Sequence, residues 1–370
     1  MSNAAGQYDA YLERRHFEGL DGLRCLAILP VIAHHATAAP PHGIWGKGAV
    51  GVDLFFVLSG FLITTLLLRE QRASGRLDLG RFYLRRTLRI FPLYYAVLGL
   101  QLLSALTISR PGPPREHFLA NWHWHATYMA NWFVDYDVPH SIPFAFSWTL
   151  CVEEQFYLFW PGLVALLPKL ALPFVLVGGI LFDQEWVGRL GLSEASYRIV
   201  SSFAPAIAWG ALLALGLDSR RVHGWLGRVL RWRFAAPAFL LGVVAALSQT
   251  HTNYYWLCSA LVGLVGSTAV TGGGVLRPLL EQRWIVGIGQ LSYALYLTHS
   301  LALAILRTCL PASAQVFPIV FGLGFPMACG LAWLARRYIE LPALRWRDRR
   351  ISSGLSVGAD PRQPVADVAS

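Results

Sequence analysis

Charge is what this sequence has least of. Only 14% of its 370 residues are Asp, Glu, Lys or Arg, while 55% are hydrophobic, and the mean hydropathy is +0.45. A soluble domain carries about a quarter of its residues charged, so the composition disfavours a water-soluble globule and points to a polytopic membrane protein. The net charge of +10 does not point to nucleic acid, because the arginines lie in the gaps between apolar runs and not on one basic face. Cysteine is sparse too. Cys25, Cys151, Cys258, Cys309 and Cys329 stand singly in apolar stretches, which excludes both the paired spacing of a zinc site and a dense disulfide scaffold. No glycine-rich loop ends in Gly-Lys-Ser/Thr, so ATP hydrolysis has no support. The first twenty-two residues lack an apolar core followed by a cleavage site, so the first spanning helix is expected to act as its own signal.

What is present is a series of long apolar runs. A helix needs about 20 apolar residues to cross the hydrocarbon layer. Ten runs qualify, near 20–38, 50–69, 88–107, 147–167, 170–184, 196–216, 233–250, 254–272, 285–307 and 314–336. The expected fold is all-α, a polytopic transmembrane bundle of about ten spanning helices. Ten crossings with the N-terminus inside put 25 of the 31 Lys and Arg residues in inner segments, as positive-inside bias requires. The expected layout is a cytoplasmic segment 1–19, a membrane domain 20–342, and a cytoplasmic tail 343–370 whose last twenty residues lack an apolar period and read as disordered.

Several polar residues interrupt the apolar runs. In RCLAILPVIAHH, Arg24 and His35 fall within roughly 20° of one face and about 16 Å apart along an α-helix, whereas His34 points about 80° away. Pro30 between them removes one backbone donor. Ionisable residues in spanning helices are costly, so they mark functional positions by default. Asp53 lies near the outer end of the second run and needs a partner, for which an imidazole of the first helix is within reach. Ser59 and Gly60 at its centre permit close helix packing. The fourth run opens SWTLCVEEQFY, with Trp148 at its start, paired acids Glu153 and Glu154, and Tyr157 one turn below Glu153. Arg81, Arg85 and Arg89 share a stripe with Arg86 adjacent, and a guanidinium fork suits phosphate oxygens. Tyr296 and His299 share a face of the ninth run, and Glu340 follows Arg336 by four, as a local ion pair would.

The outer segment 108–146 contains NWHWHATYMANWF, which reads either as an interfacial aromatic belt or as a surface on which a sugar ring could stack. His123 and His125 there lack a third ligand, and no metal is expected.

Taken in order, Arg24 with His35, GVDLFFVLSGFLIT, Arg86 with Arg89, SWTLCVEEQFY, SYALYLTH and RYIELP resemble the integral-membrane acyltransferase-3 family, whose members O-acylate bacterial polysaccharides, lipopolysaccharide, nodulation factors and macrolides. The matching stretches span about 20–342. Two positions depart from the family pattern. Phe146 stands where many members have a histidine, and Leu301 where many have a proline. No soluble esterase-like domain of the kind some members carry is expected after the tenth run. The resemblance implies a multi-pass protein of the bacterial cytoplasmic membrane with both termini inside, and an acyl-CoA donor, chiefly acetyl-CoA, entering from the cytosol. It implies a carbohydrate, glycolipid or macrolide hydroxyl as acceptor at the outer face, the bilayer as the other partner, and no nucleic acid. Arg24, Arg85, Arg86 and Arg89 would then hold the donor. His35 would act as general base or as an acyl carrier, Glu153 or Asp53 would orient it, and Trp148, Tyr157, Tyr296 and His299 would meet the substrate. A transporter using the buried His, Asp and Glu for proton or anion coupling is the competing reading.

Overall fold

The computed structural model describes residues 2–14, 16–17, 19–36, 47–109, 111–136, 144–200 and 204–355. The described residues are helical and contain no strand. In chain order the principal helices are α1 (Ser2–Glu13), α2 (Leu20–Ala36), α3 (Val50–Ser74), α4 (Leu79–Thr107), α5 (Pro113–Ala126), α6 (Trp148–Leu166), α7 (Leu172–Leu181) and α8 (Glu194–Val200). They continue with α9 (Pro205–Asp218), α10 (Arg220–Leu230), α11 (Ala235–Ser248), α12 (Tyr254–Thr271), α13 (Arg283–Gln290), α14 (Ser292–Cys309), α15 (Phe317–Ala335) and α16 (Leu341–Leu355).

Helices lie over all ten apolar runs, yet fewer are long and apolar enough to cross a bilayer. Four described helices meet that measure, and five if α10 and α11, bent by 79°, form one broken span. The shortfall has visible causes. Helix α2 has 17 residues, α7 has 10, the ninth run is divided between α13 and α14, and α6 carries Glu153, Glu154 and Gln155 in its middle. The surface is apolar where a soluble protein's would be polar. Leu100, Leu103 and Leu106, one turn apart along α4, are 51%, 56% and 59% exposed, as side chains facing lipid are. The predicted tail beyond residue 355 lies outside the described residues.

Helix ends follow local chemistry. Asp78 caps α4 by accepting from the Arg81 N–H at 2.9 Å, and Asn253 caps α12 by accepting from the Trp256 N–H at 3.1 Å. Gly75 closes α3 in the left-handed region at φ +71°, which a side chain would disfavour.

The chain folds as two compact units, one built on residues 1–77 and 206–333, the other on 78–205 and 334–351. In the first, small residues bring helices to backbone contact, since without an aqueous driving force close packing must hold membrane helices together. A Cβ on Gly60 would run into the Ile207 carbonyl of α9, and a Cβ on Gly210 into the Val57 carbonyl of α3, so the two glycines form a reciprocal crossing. Gly51 meets the Ala27 carbonyl and Gly289 the Asp21 carbonyl, locking α2 between α3 and α13. Leu23, Ile28 and Ile32 of α2 are thereby fully buried. In the second unit the core is aromatic, with Tyr94 stacked on Tyr128 at 4.3 Å and tilted against Phe144.

Candidate active site

In the first unit His35 stands at the last turn of α2. Its Nδ1 lies 2.8 Å from the Val31 carbonyl of the same helix. A carbonyl only accepts, so Nδ1 carries the hydrogen and the lone pair is left on Nε2. His299 of α14 repeats the arrangement, with Nδ1 2.6 Å from the Tyr296 carbonyl. The two imidazoles meet at 4.8 Å between centroids and 61° between planes. His34 stands edge-on to His35 at 5.4 Å. Arg307, also on α14, donates to the His35 backbone carbonyl at 2.9 Å, satisfying a carbonyl the helix end leaves open and tying α14 to α2. Tyr296 lies against His299 at 5.8 Å and against Phe55 of α3 at 6.4 Å, so helices α2, α3 and α14 converge on the imidazole pair.

Asp53 does not take an imidazole as its partner. Its Oδ1 accepts from the Tyr254 hydroxyl of α12 at 2.8 Å. Nor does a carboxylate orient His35 through Nδ1, because Val31 occupies that nitrogen. Tyr254 and Arg307 are contacts that no spacing along the chain could pair, being 201 and 272 residues from their partners. Arg24 forms an ion pair with Asp21, three residues back on the same helix, at 2.7 Å.

The second unit holds the other charged cluster. The Arg86 guanidinium sits over the Tyr157 ring at 5.4 Å and over Phe82 at 5.9 Å. Tyr157 donates its hydroxyl to Glu153, and Glu153 and Glu154 lie in the electrostatic reach of Arg86. One oxygen of Glu154 is buried without a hydrogen-bond partner among the described residues. Arg85 and Arg89 are half-buried on the same stretch of α4. Glu340 is buried on a π turn, Arg336–Glu340, in the field of both Arg89 and Arg336, which widens the expected local pair to three residues.

Trp148 opens α6 and is 40% exposed. Among the described residues of the segment before it, Trp124 lies against Phe133 at 4.3 Å, and His125 is fully buried with Nδ1 2.7 Å from Ser147 Oγ. Burial lowers the His125 imidazole to about 4, so it is neutral at physiological pH. Among the described residues no three His, Cys, Asp or Glu side chains cluster as metal ligands.

Residues 17–337 match the acyltransferase domain of the acyltransferase-3 type. A peptidoglycan O-acetyltransferase of Listeria monocytogenes is 32% identical over 77% of this chain and 49% of its own length. A Staphylococcus aureus protein provisionally named an O-acetyltransferase is 27% identical over 94% of this chain and 62% of its own. A Bacillus subtilis protein provisionally named a peptidoglycan O-acetyltransferase is 26% identical over 90% and 56%. The chain thus spans about half to three-fifths of the length of these curated relatives. No solved structure matches the chain significantly. The apolar helices and the match across nearly the whole sequence agree, and the chain belongs to the acyltransferase-3 family of multi-pass membrane proteins.

Proposed function

We propose that this protein is an O-acetyltransferase that moves an acetyl group from cytosolic acetyl-CoA to a carbohydrate hydroxyl at the outer face of the bacterial cytoplasmic membrane. The observation that carries the reading is the Nδ1–H bond from His35 to the Val31 carbonyl, which leaves Nε2 as a base. Nε2 takes the proton of the acceptor hydroxyl as its oxygen attacks the thioester carbonyl. The tetrahedral intermediate then expels the coenzyme A thiolate, which recovers the proton from the imidazolium. His299 and Tyr296 hold the His35 ring and line the reacting position.

Arg85, Arg86 and Arg89 are assigned to the donor's phosphates, with Arg24 kept as a donor contact despite its bond to Asp21. Glu153 and Tyr157 set the charge and position of Arg86. Asp53, through Tyr254, fixes the outer part of α3. Trp148 is assigned to the acceptor. Ten crossings, both termini inside, and a membrane domain bounded near 20–342 complete the reading, supported by the 25 inner positive residues of 31. The relatives' names favour a peptidoglycan-type glycan as acceptor.

The test is reconstitution in liposomes with acetyl-CoA and soluble peptidoglycan oligosaccharides, following thiol release and, by mass spectrometry, the acetyl ester. The expected result is acceptor-dependent thiol release that matches ester formed. Release without ester, or solute uptake with no release, would overturn the proposal.

A further inference from the structure

We propose that the second unit carries a cleft for a neutral saccharide ring, lined by Trp148, Tyr197, Arg198, Asp135 and Asn131. The inference rests on the O-acyltransfer reading above and specifies its acceptor side. A cavity of about 350 Å³ lies among these residues and Tyr136, inside the range of roughly 300–1,000 Å³ in which small-molecule sites fall. Its walls come from three separate stretches of chain, residues 131–136, the first residue of α6, and α8. The distribution of positive residues puts all three on the outer side.

The chemistry of the lining selects the ligand. Trp148 and Tyr197 are 40% and 47% exposed, two large rings left open at the cleft. An aromatic face opposes the C–H face of a pyranose. Arg198 is held in place by donating to the Val134 carbonyl at 3.0 Å, and its guanidinium lies 3.7 Å from the Asp135 carboxylate. A fixed fork of donors beside a group that only accepts matches a row of sugar hydroxyls, each of which donates and accepts. The opposite charges of Arg198 and Asp135 cancel, so the cleft has no net attraction for an anion and suits an uncharged sugar.

The wall is also rigid. The Asn131 and Gln155 side chains exchange two hydrogen bonds, at 3.1 and 3.0 Å, and Gln155 donates in addition to the Tyr128 carbonyl at 2.9 Å. Gln155 immediately follows Glu153 and Glu154 on α6, so the Asn131 side of the cleft is tied to the helix that carries those carboxylates. A preorganised site of this kind loses little freedom when a ligand binds.

The experiment uses the full chain in nanodiscs with two probes, the neutral tetramer of N-acetylglucosamine and a carboxylated hyaluronan tetrasaccharide. Binding is read by saturation-transfer NMR and by tryptophan fluorescence, and acetyl transfer is measured separately. The neutral tetramer is expected to bind through its ring protons, with affinity about tenfold weaker in Tyr197→Ala, Trp148→Ala and Arg198→Ala, the size of one lost contact of about 1.4 kcal/mol. Trp148→Phe and Arg198→Lys keep a ring and a charge, and they are expected to bind more tightly than the alanine forms, which separates lost contact from lost fold. Equal affinity in all variants, or binding of the carboxylated probe alone, would overturn the cleft. A protein that binds the tetramer at the cleft but never esterifies it refutes the O-acyltransfer reading and leaves the cleft standing. Transfer with acceptor affinity unmoved by every variant does the reverse.

Discussion

His35 and His299 face each other at 4.8 Å, each with its Nδ1 hydrogen committed to a carbonyl of its own helix. In the proposed mechanism this pairing gives His299 a positioning role as well as substrate contact, because it fixes the plane in which the His35 lone pair points. His299→Ala should therefore reduce turnover about 10²-fold by misplacing the base, with donor affinity unchanged. Steady-state kinetics at matched membrane expression check this, and a fall confined to acceptor KM would return His299 to a binding role.

The arginine cluster divides by environment. Arg86 is enclosed by Tyr157, Glu153 and Glu154, so removing it leaves two carboxylates without their cation. Arg86→Ala should lower stability by on the order of 1–3 kcal/mol, seen as an earlier thermal transition in detergent. Arg89→Ala should instead raise the donor KM by the equivalent of about 1.5–3 kcal/mol, one lost charge-assisted contact, with a smaller thermal shift than Arg86→Ala because Arg336 still faces the buried Glu340. Unchanged donor affinity in Arg89→Ala would reduce this part of the cluster to a topology signal.

Much of this was readable along the chain wherever the partners share a helix. Tyr157 with Glu153, Tyr296 with His299 and the close packing at Gly60 all follow from a period of 3.6 residues or from the size of one side chain. Contacts between helices distant in sequence were not readable. Nothing in one sequence pairs Tyr254 with Asp53 or Arg307 with the His35 carbonyl, and the imidazole first expected beside Asp53 donates to its own backbone. The same blindness hid the cleft, since Arg198 stands 63 positions from Asp135 and its ion pair shows only in the folded chain.

Orientation has a direct test. Arg76 and Leu192 are both exposed, in segments the positive-residue distribution assigns to opposite sides. With Cys309 replaced by serine, Leu192→Cys should react with a membrane-impermeant maleimide in intact cells. Arg76→Cys should react only after lysis. The opposite pattern would invert the topology and with it the assignment of the acceptor face.

The buried His125 makes stability depend on pH. Its imidazole titrates near 4 in the fold against about 6.5 in the unfolded chain, so the unfolded state binds the extra proton first. Among the described residues its Nε2 has no acceptor, enclosed as the ring is by Phe118 and Phe144, so a proton added there would be stranded. The stabilisation is present above pH 6.5, falls as pH drops toward 4, and amounts to about 3 kcal/mol over that window. Thermal transitions of parent and His125→Gln should converge as pH falls from 7 to 4. Parallel curves would show that another group sets the dependence.

The adjacent histidines of α2 give the sharpest contrast. His34 has its Cβ against Gly48, where an added Cβ would collide with both His34 and the Pro30 carbonyl, so His34 belongs to the contact just ahead of α3. Alanine keeps that Cβ and removes only the ring. His35, about 100° further round, carries the lone pair beside His299. His35→Ala should lose roughly 10²–10⁴ in acetyl transfer while still inserting into the membrane, and His34→Ala should lose far less. Both are to be assayed for thiol release at equal expression, with thermal unfolding as the control for folding. An inactive His34→Ala beside an active His35→Ala would move the base one residue along the helix, and the Val31 hydrogen bond would then mark a packed imidazole and not the catalytic one.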